Sequence, residues 1–412
     1  MELVTEKSLS PNIFSDYVEK PSLFSNKKSL TAAFIPSKIP HRDSEITQLT
    51  AVLAPALRGY HINNVFIYGT CGTGKTICSR FVISQLEDIA KKNKNRIKTV
   101  YINCKMKKVA DTEYRLFAQL LKELGETVPD TGLPTDVLYR KFFEQVDKDK
   151  QIMIIVLDEI DALFKKVGDD FLYNLTRINT ELKNSSLAII GITNDLSFRD
   201  KLDIRVKSSL SEEEMLFKPY NALQLKNILE ERVNNGFTAG VVDEAVLNKC
   251  AALAAQEHGD ARRALDLLRV AGEIAERLGE TSITEEHVDI AEEKIDMDRV
   301  TETVKTQPKQ SQAVLYSILK LNTELKAKEK WVDSRLLTGD IYSLYKQICV
   351  NNNLKQLTQR RVSDLISELD MLSIITTKVI SKGRYGRTRD ISLAVSEHVL
   401  EKITKFLTER FG

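Results

Sequence analysis

The sequence predicts a multidomain α/β protein: a parallel-sheet core, an all-α segment behind it and a C-terminal winged helix-turn-helix. Three patterns carry that expectation. In the first half, short runs that are apolar throughout alternate with stretches of helical spacing, which is how a parallel sheet covered on both faces reads. Between Asn221 and Met297 strand signals vanish and helical spacing persists. At the end, three helical patterns precede two β-type runs joined by a loop containing glycine and arginine.

Taken in order, residues 1–40 are polar, with Pro11, Pro21, Pro36 and Pro40 as breakers. They read as an arm, partly disordered or laid on the body. Helix is expected from about Ser44, then a strand at 65–68 and a helix at 76–91, where Ile77, Phe81, Ile83, Leu86 and Ile89 recur at helical spacing. Further strands are expected at 99–102, 152–157 and 187–192. The all-α part is read as helices at 223–233, 243–256, 261–278 and 284–294. Residues 301–312 are polar with one proline and read as a linker or helix break. Val314, Ile318 and Leu321 then mark a helix, Ile341, Leu344, Tyr345 and Ile348 a second, and Val362, Leu365, Ile366 and Leu369 a third. The hairpin follows at 373–381 and 390–395. The expected parts are 1–40, 41–217, 218–300 and 301–412.

Composition narrows the class. The chain has 412 residues, 42% hydrophobic and 29% charged, ordinary for a globular protein. No apolar run approaches the roughly 20 residues of a membrane span, and the first 20 residues lack the apolar stretch of a secretory signal. The five cysteines are scattered and none forms C-x-x-C, so neither a zinc site nor a disulfide framework is expected; a reducing, cytoplasmic compartment fits. The net charge of +2 is an average of unlike parts. Residues 305–412 hold 19 Lys+Arg and 11 Asp+Glu, a net of +8, and the remainder nets −6. A basic end on an acidic body points to nucleic acid or another anionic surface.

The chemistry-bearing motif is Gly69-Thr70-Cys71-Gly72-Thr73-Gly74-Lys75-Thr76, a full match to G-x-x-x-x-G-K-[ST] between an expected strand and an expected helix. Glycines let the backbone wrap a phosphate, and helix N-terminal N–H groups point at it. Lys75 would place a charge near the β- and γ-phosphates, and the Thr76 hydroxyl would ligate Mg²⁺. The run 154–159 ends an apolar strand in Asp158 and Glu159, at the edge where an α/β sheet binds ligands. Asp158 would hold Mg²⁺ through water, and Glu159 would polarise the attacking water. Asp161 reads as a helix N-terminal charge.

These segments, with Gly191-Ile192-Thr193-Asn194, resemble the Walker A, Walker B and sensor 1 motifs of AAA+ ATPases. Residues 202–210, with Arg205, resemble the arginine-finger segment of the archaeal replication initiators, the relatives of eukaryotic origin-recognition and helicase-loading subunits; Ile204 stands where many members carry proline. Residues 217–220 resemble their entry into the lid, and 259–265 their sensor 2 helix. The resemblance runs from about Ile39 to the end of the chain. It implies an AAA+ P-loop core, an all-α lid and a winged helix-turn-helix, with ATP/ADP and Mg²⁺ as cofactors. Asn194 would orient the hydrolytic water, though in isolation it also reads as a turn residue closing a strand. Arg262, or Arg263 if the register is offset by one, would reach the γ-phosphate. Arg205 would act in trans on a neighbouring subunit. Tyr220 and Arg232 match nucleotide-contact positions near the base; equally, Tyr220 reads as a core aromatic at a domain joint and Arg232 as a solvated helix charge.

At the basic end, residues 378–389 carry five basic residues and no acid. Lys382, Arg384, Tyr385 and Arg387 would lie on a wing that enters a minor groove. Thr358 is a candidate N-cap, which leaves Arg360 and Arg361 near the start of a helix facing the major groove. Residues 106–136 are long for a connection, and the resemblance implies an extra helix there that touches DNA; Lys105, Lys107, Lys108 and Arg115 are compatible with that. The expected protein is therefore a Mg²⁺-dependent, slowly hydrolysing ATPase that binds double-stranded origin DNA. Its expected partners are other initiator subunits or paralogues and the replicative helicase, with no membrane, and its expected place is the nucleoid. A nucleotide-switched winged-helix regulator without turnover is the alternative, disfavoured by Glu159. A helper ATPase of a transposition or conflict system is a second, disfavoured by the Arg205 segment and residues 259–265.

Overall fold

The computed structural model describes residues 22–32, 34–106, 112–129, 132–210, 212–327, 335–381, 387–395 and 397–412. The chain divides into two compact units, 1–288 and 289–412.

The first unit is built on five parallel strands: β1 (Asn64–Tyr68), β2 (Ile97–Asn103), β3 (Ile152–Asp158), β4 (Ser186–Thr193) and β5 (Glu212–Leu216). Their order across the sheet is β2-β3-β4-β1-β5. Every residue of β1 and β3 is buried, because alternate residues enter different cores. Phe66, Met153, Ile155, Leu157 and Ile189 pack with α3 (Glu113–Glu123), α4 (Thr135–Asp147) and their neighbours. Val65, Ile67, Ile154, Val156 and Ile190 pack on the other face with α1 (Asp43–Leu53) and α2 (Lys75–Lys92). That double burial is why the strands read as unbroken apolar runs.

The fifth strand is not legible as a strand. Its sequence, Glu-Glu-Glu-Met-Leu, looks like a solvated loop, yet it pairs with β1 at the sheet edge, where Met215 is buried and Glu214 meets Arg199 at 3.1 Å. Short helices α5 (Ile160–Val167), α6 (Asp170–Arg177), α7 (Phe198–Lys201) and α8 (Ile204–Leu210) connect the later strands.

Helices α9 (Ala222–Gly236), α10 (Glu244–Gln256) and α11 (Ala261–Leu278) complete this unit. Each starts at a side-chain cap: Asn221 with Gln224 as a full capping box, then Asp243, then Asp260, each satisfying N–H groups that a helix leaves unpaired. The described part of the arm is laid on these helices. Leu23 and Leu30 are buried, Ser25 and Asn26 donate to the Gly236 carbonyl at 3.0 and 3.1 Å, and Lys27 pairs with Glu273 at 2.9 Å.

Residues 301–312, expected as a linker or break, are mostly helix. Helix α12 (Glu285–Thr306) continues through them, and the break is confined to Gln307 and Pro308. The stretch holds no breaker before Pro308, Val304 is buried, and the Gln312 amide donates to the carbonyls of Val304 and Lys305 at 2.9 and 3.1 Å.

The second unit holds α13 (Lys309–Ala327), β6 (Leu336–Leu337), α14 (Thr338–Asn351), α15 (Gln359–Met371), β7 (Ile375–Ser381), β8 (Arg387–Leu393) and α16 (Glu397–Phe411). The three helices and the antiparallel hairpin are as expected. A two-residue third strand and the final helix are additions. Val314, Ile318, Ile341, Tyr345, Ile366 and Leu369 share one core with Ile403 and Leu407 of α16.

The α3–α4 pair anchors one face of the sheet through Phe117, fully buried, whose ring meets those of Tyr139 and Phe142 edge-on at 5.5 Å each. Phe117→Ala is expected to lower stability of the first unit by about 3–5 kcal/mol, read as a fall in the denaturant midpoint at unchanged slope; a loss under 1 kcal/mol would mean the pair is peripheral.

Candidate nucleotide site

The strands β1, β3 and β4 end side by side, and a cleft opens there. It is lined by Gly72–Thr76 and Arg80 from the β1–α2 loop and helix, Asp158 and Glu159 after β3, and Asn194 after β4. Tyr220, Ile228, Arg232, Arg262 and Leu265 line it from the helical side, and Ala32 and Ile35 from the arm. Of the residues expected at a site, the fold thus brings together Gly72, Thr73, Gly74, Lys75, Thr76, Asp158, Glu159, Asn194, Tyr220, Arg232 and Arg262.

The loop requires its glycines. Gly72 and Gly74 have φ of +70° and +91°, and a Cβ on Gly74 would meet the Tyr220 hydroxyl at 2.8 Å. A Cβ on Gly72 would overlap the Asp260 carboxylate. That contact docks α11 on the loop: the Ala261 N–H donates to the Gly72 carbonyl at 3.2 Å, and Asp260 caps the helix by accepting from the Arg262 and Arg263 N–H groups. Lys75 is buried; its ammonium donates to the Gly69 and Thr70 carbonyls at 2.7 and 2.6 Å. Burial pulls its pKa down to about 8. The Thr70 hydroxyl is buried without a hydrogen-bond partner.

The Thr76 hydroxyl donates to Asp158 Oδ2 at 3.0 Å, and the Glu159 N–H to Oδ1 at 3.0 Å. The Tyr101 hydroxyl also donates to Oδ2. Asp158 is 4% exposed, so its charge depends on these donors. Glu159 holds a left-handed conformation, φ +55°, a strained geometry for a side-chain-bearing residue and one found at functional sites. Its carboxylate faces Lys105 at 3.5 Å. Asp161 accepts from the Thr193 hydroxyl at 3.1 Å and pairs with Lys165 at 3.6 Å, so it ties the end of β4 to α5. Asn194 is exposed to the cleft.

The two arginines that open α11 part company. Arg262 lines the cleft, with Nη1 3.7 Å from Cys71 Sγ. Arg263 is 9% exposed and turns to Glu257 at 3.2 Å. Of the two, Arg262 is the one that lines the cleft. Tyr220 is buried, its hydroxyl accepts from Arg42 Nε at 2.9 Å, and burial raises its pKa to about 12. Arg232 is no solvated helix charge. It is 5% exposed and donates to the Ser29 and Phe34 carbonyls at 2.9 and 3.3 Å, pinning the arm at the edge of the cleft. Arg205 lies on α8, exposed and paired with Asp203 at 3.0 Å, and is not part of the cleft lining.

Sequence reasoning missed Arg42, Arg80 and the arm residues Ala32 and Ile35. Arg80 had a signal, since it stands four residues after Thr76 on the same helical face. Arg42 and the arm had none, because only tertiary packing brings them here.

The donor set suits a hydrated divalent cation. Thr76 and Asp158 offer two hard oxygens beside a phosphate loop, as Mg²⁺ sites do. Among the described residues no group of three or more His, Cys, Asp or Glu could hold a metal. No helix of the described residues is long and apolar enough to cross a membrane.

In the second unit, Thr358 caps α15 by accepting from the Arg361 N–H at 3.4 Å. Arg360 and Arg361 are exposed in its first turn, and Arg361 leans on Asp364 and Glu368 at 3.7 and 3.5 Å. Lys382, Arg384 and Tyr385 lie outside the described residues, as do Lys107 and Lys108; of Arg387 the backbone is described, opposite Ser381.

Gly72→Ala is expected to unseat the start of α11. Hydrogen exchange at the amides of residues 261–264 should quicken at least tenfold while β1 and β3 stay protected; unchanged protection at 261–264 would mean the docking is incidental.

Comparison with known proteins follows the same division. Residues 59–202 match the family described as AAA domain, 226–293 the Cdc6 AAA+ ATPase-type lid domain, and 302–403 the CDC6 C-terminal winged helix domain. A Thermococcus kodakarensis protein named ORC1-type DNA replication protein is 50% identical over 398 residues, 95% of this chain and 93% of that one. One from Methanosarcina mazei, ORC1-type DNA replication protein 1, is 49% identical over 97% and 94%. Among solved structures, the Aeropyrum pernix ORC1 protein in complex with DNA is 44% identical, with a TM-score of 0.80 over 94% of this chain and 97% of that one.

Proposed function

The chain belongs to the family of ORC1-type DNA replication proteins, and from that premise we propose that it is an ATP-dependent initiator: it binds origin DNA through its winged helix, helps recruit or load the replicative helicase, and hydrolyses ATP slowly as a switch. The observation that carries the ATP half is the convergence, in one cleft, of the phosphate loop, the Asp158–Glu159 pair and Arg262. The DNA half is supported by the basic C-terminal part and by likeness to an ORC1 protein solved with DNA.

In this reading Lys75 leaves its two carbonyl partners for the β- and γ-phosphates, and the backbone N–H groups of residues 72–76 wrap them. The cost of burying the Lys75 ammonium is offset by a dianionic partner, so nucleotide and Lys75 stabilise each other's charge. Thr76 and Asp158 would hold Mg²⁺, which supplies charge neutralisation across the phosphate oxygens. Glu159 orients and polarises the attacking water, with Asn194 beside it. Arg262 senses the γ-phosphate from the first turn of α11, so nucleotide state is felt by the lid through the same turn that rests on Gly72. Tyr220 and Arg232 bound the base end. Arg205, exposed on α8, would complete a neighbouring subunit's site. Arg360, Arg361, Lys382, Arg384, Tyr385 and Arg387 meet DNA. The turnover-free regulator is less well supported, because Glu159 and Asp158 are both present and adjacent to the phosphate loop.

Two experiments test this. Glu159→Gln should keep Mg²⁺-dependent ATP binding, measured with a fluorescent nucleotide, while steady-state hydrolysis falls by roughly 10²-fold or more; undiminished turnover would assign the water to another base. Arg384→Ala combined with Arg387→Ala should weaken duplex binding and make its log–log salt dependence shallower by roughly one to two units. An unchanged slope would move the DNA contact off the wing.

A further inference from the structure

The carboxylate of Asp158 is held from a direction that the nucleotide reading does not use. Tyr101, on β2, stands beside the strand that delivers Asp158: in the parallel register Tyr101 lies opposite Val156, two residues before the aspartate. Its hydroxyl donates to Oδ2, the same oxygen that accepts from Thr76 at 3.0 Å. The phenol is thus the third donor on a carboxylate that is 4% exposed, with the Glu159 N–H fixing the other oxygen. Above the ring lies a cation: the Arg80 guanidinium carbon is 4.2 Å from the Tyr101 centroid, and Arg80 itself lines the cleft one turn beyond Thr76. A cation over the face of a phenol attracts the ring electrostatically and draws electron density from it, which makes the hydroxyl a better donor.

We propose that Tyr101 is a positioning residue for the Mg²⁺-nucleotide site, fixing the Asp158 carboxylate so that Oδ2 stays turned toward Thr76, with Arg80 holding the Tyr101 ring in place; this rests on reading the cleft as a Mg²⁺-nucleotide site. A carboxylate on a strand end can rotate about its last bond. Two donors on Oδ2, from opposite neighbours, and one on Oδ1 leave it a single orientation. Thr76 would turn its hydroxyl oxygen to the cation when the cation binds, and its proton is then no longer committed to Asp158. Tyr101 has no such second duty. It is the donor that keeps Oδ2 placed while Thr76 changes partner. Outer partners of this kind are typically worth 10- to 100-fold in metal affinity.

The test is Tyr101→Phe, which keeps the ring, its burial and the Arg80 contact and removes one hydroxyl. Fluorescent ATP analogue binding is titrated on the full chain of wild type and variant, first in EDTA and then against rising Mg²⁺ or Mn²⁺, with Mn²⁺ occupancy read independently by electron paramagnetic resonance. The expected result is unchanged nucleotide affinity in EDTA and a roughly tenfold higher metal concentration for half-saturation in the variant. An equal loss with and without metal, or a fall in ligand-free melting temperature that accounts for the change, would make Tyr101 merely structural and overturn the proposal. Identical metal midpoints would overturn it as well. If wild type itself shows no metal-dependent nucleotide binding, the reading of the cleft fails, an outcome distinct from the failure of Tyr101's role.

Discussion

Where helix α11 begins is decided by an atom that is missing. The Asp260 carboxylate sits where a side chain on residue 72 would be, and the same aspartate caps the helix whose first N–H reaches the Gly72 carbonyl. One small contact therefore seats the start of an 18-residue helix on the phosphate loop. Rotation matters most. With Asp260 as the cap, Arg262 faces the cleft, and Arg263, one helical step on, turns about 100° away to Glu257. A residue at the third position of that turn could not exchange places with its neighbour without breaking the cap, which is worth about 1 kcal/mol. The phosphate loop and the lid are coupled because one glycine serves both: its positive φ shapes the loop, and its bare Cα admits the cap.

The cleft's charges obey a similar economy. Its lining carries Lys75, Arg80, Arg232 and Arg262 against Asp158 and Glu159. Three of these charges are buried and need partners, and each has them within the protein: Lys75 on two carbonyls, Arg232 on two carbonyls of the arm, Asp158 on three donors. Asp158 so placed is pre-oriented, whereas Lys75 would exchange its two carbonyls for a ligand phosphate. Glu159 stands apart. It carries backbone strain, and its carboxylate faces a lysine that is 74% exposed, so it is less tethered than Asp158, as would suit a group that engages a water.

How much of this was legible follows from how far apart in the chain the partners lie. The phosphate loop, the Asp158–Glu159 strand end, the Thr358 cap and the apolar faces of the winged-helix elements were readable, because each is set by residues close together in the chain. The strand Glu212–Leu216 was not. At a sheet edge only one side of the ladder is paired, so Glu213 and Glu214 can stay unburied and the strand shows no apolar signature. The arm was legible only as polar sequence with prolines, while its binding to α9 comes through carbonyls, which carry no side-chain code. Arg232 illustrates the limit: on an amphipathic helix an arginine reads as a surface charge, and only the arm's arrival buries it. Which of Arg262 and Arg263 faces the cleft had to wait for the cap geometry, since two adjacent arginines at the start of a helix are equivalent in sequence and about 100° apart in space.

The two ends of the chain use charge in different ways. Residues 1–304 are net acidic, so no long-range field draws an anionic nucleotide to the first unit. What would hold it is the local excess of cations in the cleft, of which Lys75 and Arg232 are buried where salt screens them little. The basic residues 305–412 work by the opposite rule. Arg360 and Arg361 are exposed, individually weak and screened by salt, and useful against a polyanion because many act together and release counterions. On the proposed reading, ATP affinity should therefore respond little to ionic strength and DNA affinity steeply. The same molecule carries a site whose strength comes from desolvation and a surface whose strength comes from number. A change of net charge on the surface of residues 305–412 would leave the first nearly untouched while shifting the second, because screened surface fields act over a Debye length and buried contacts do not.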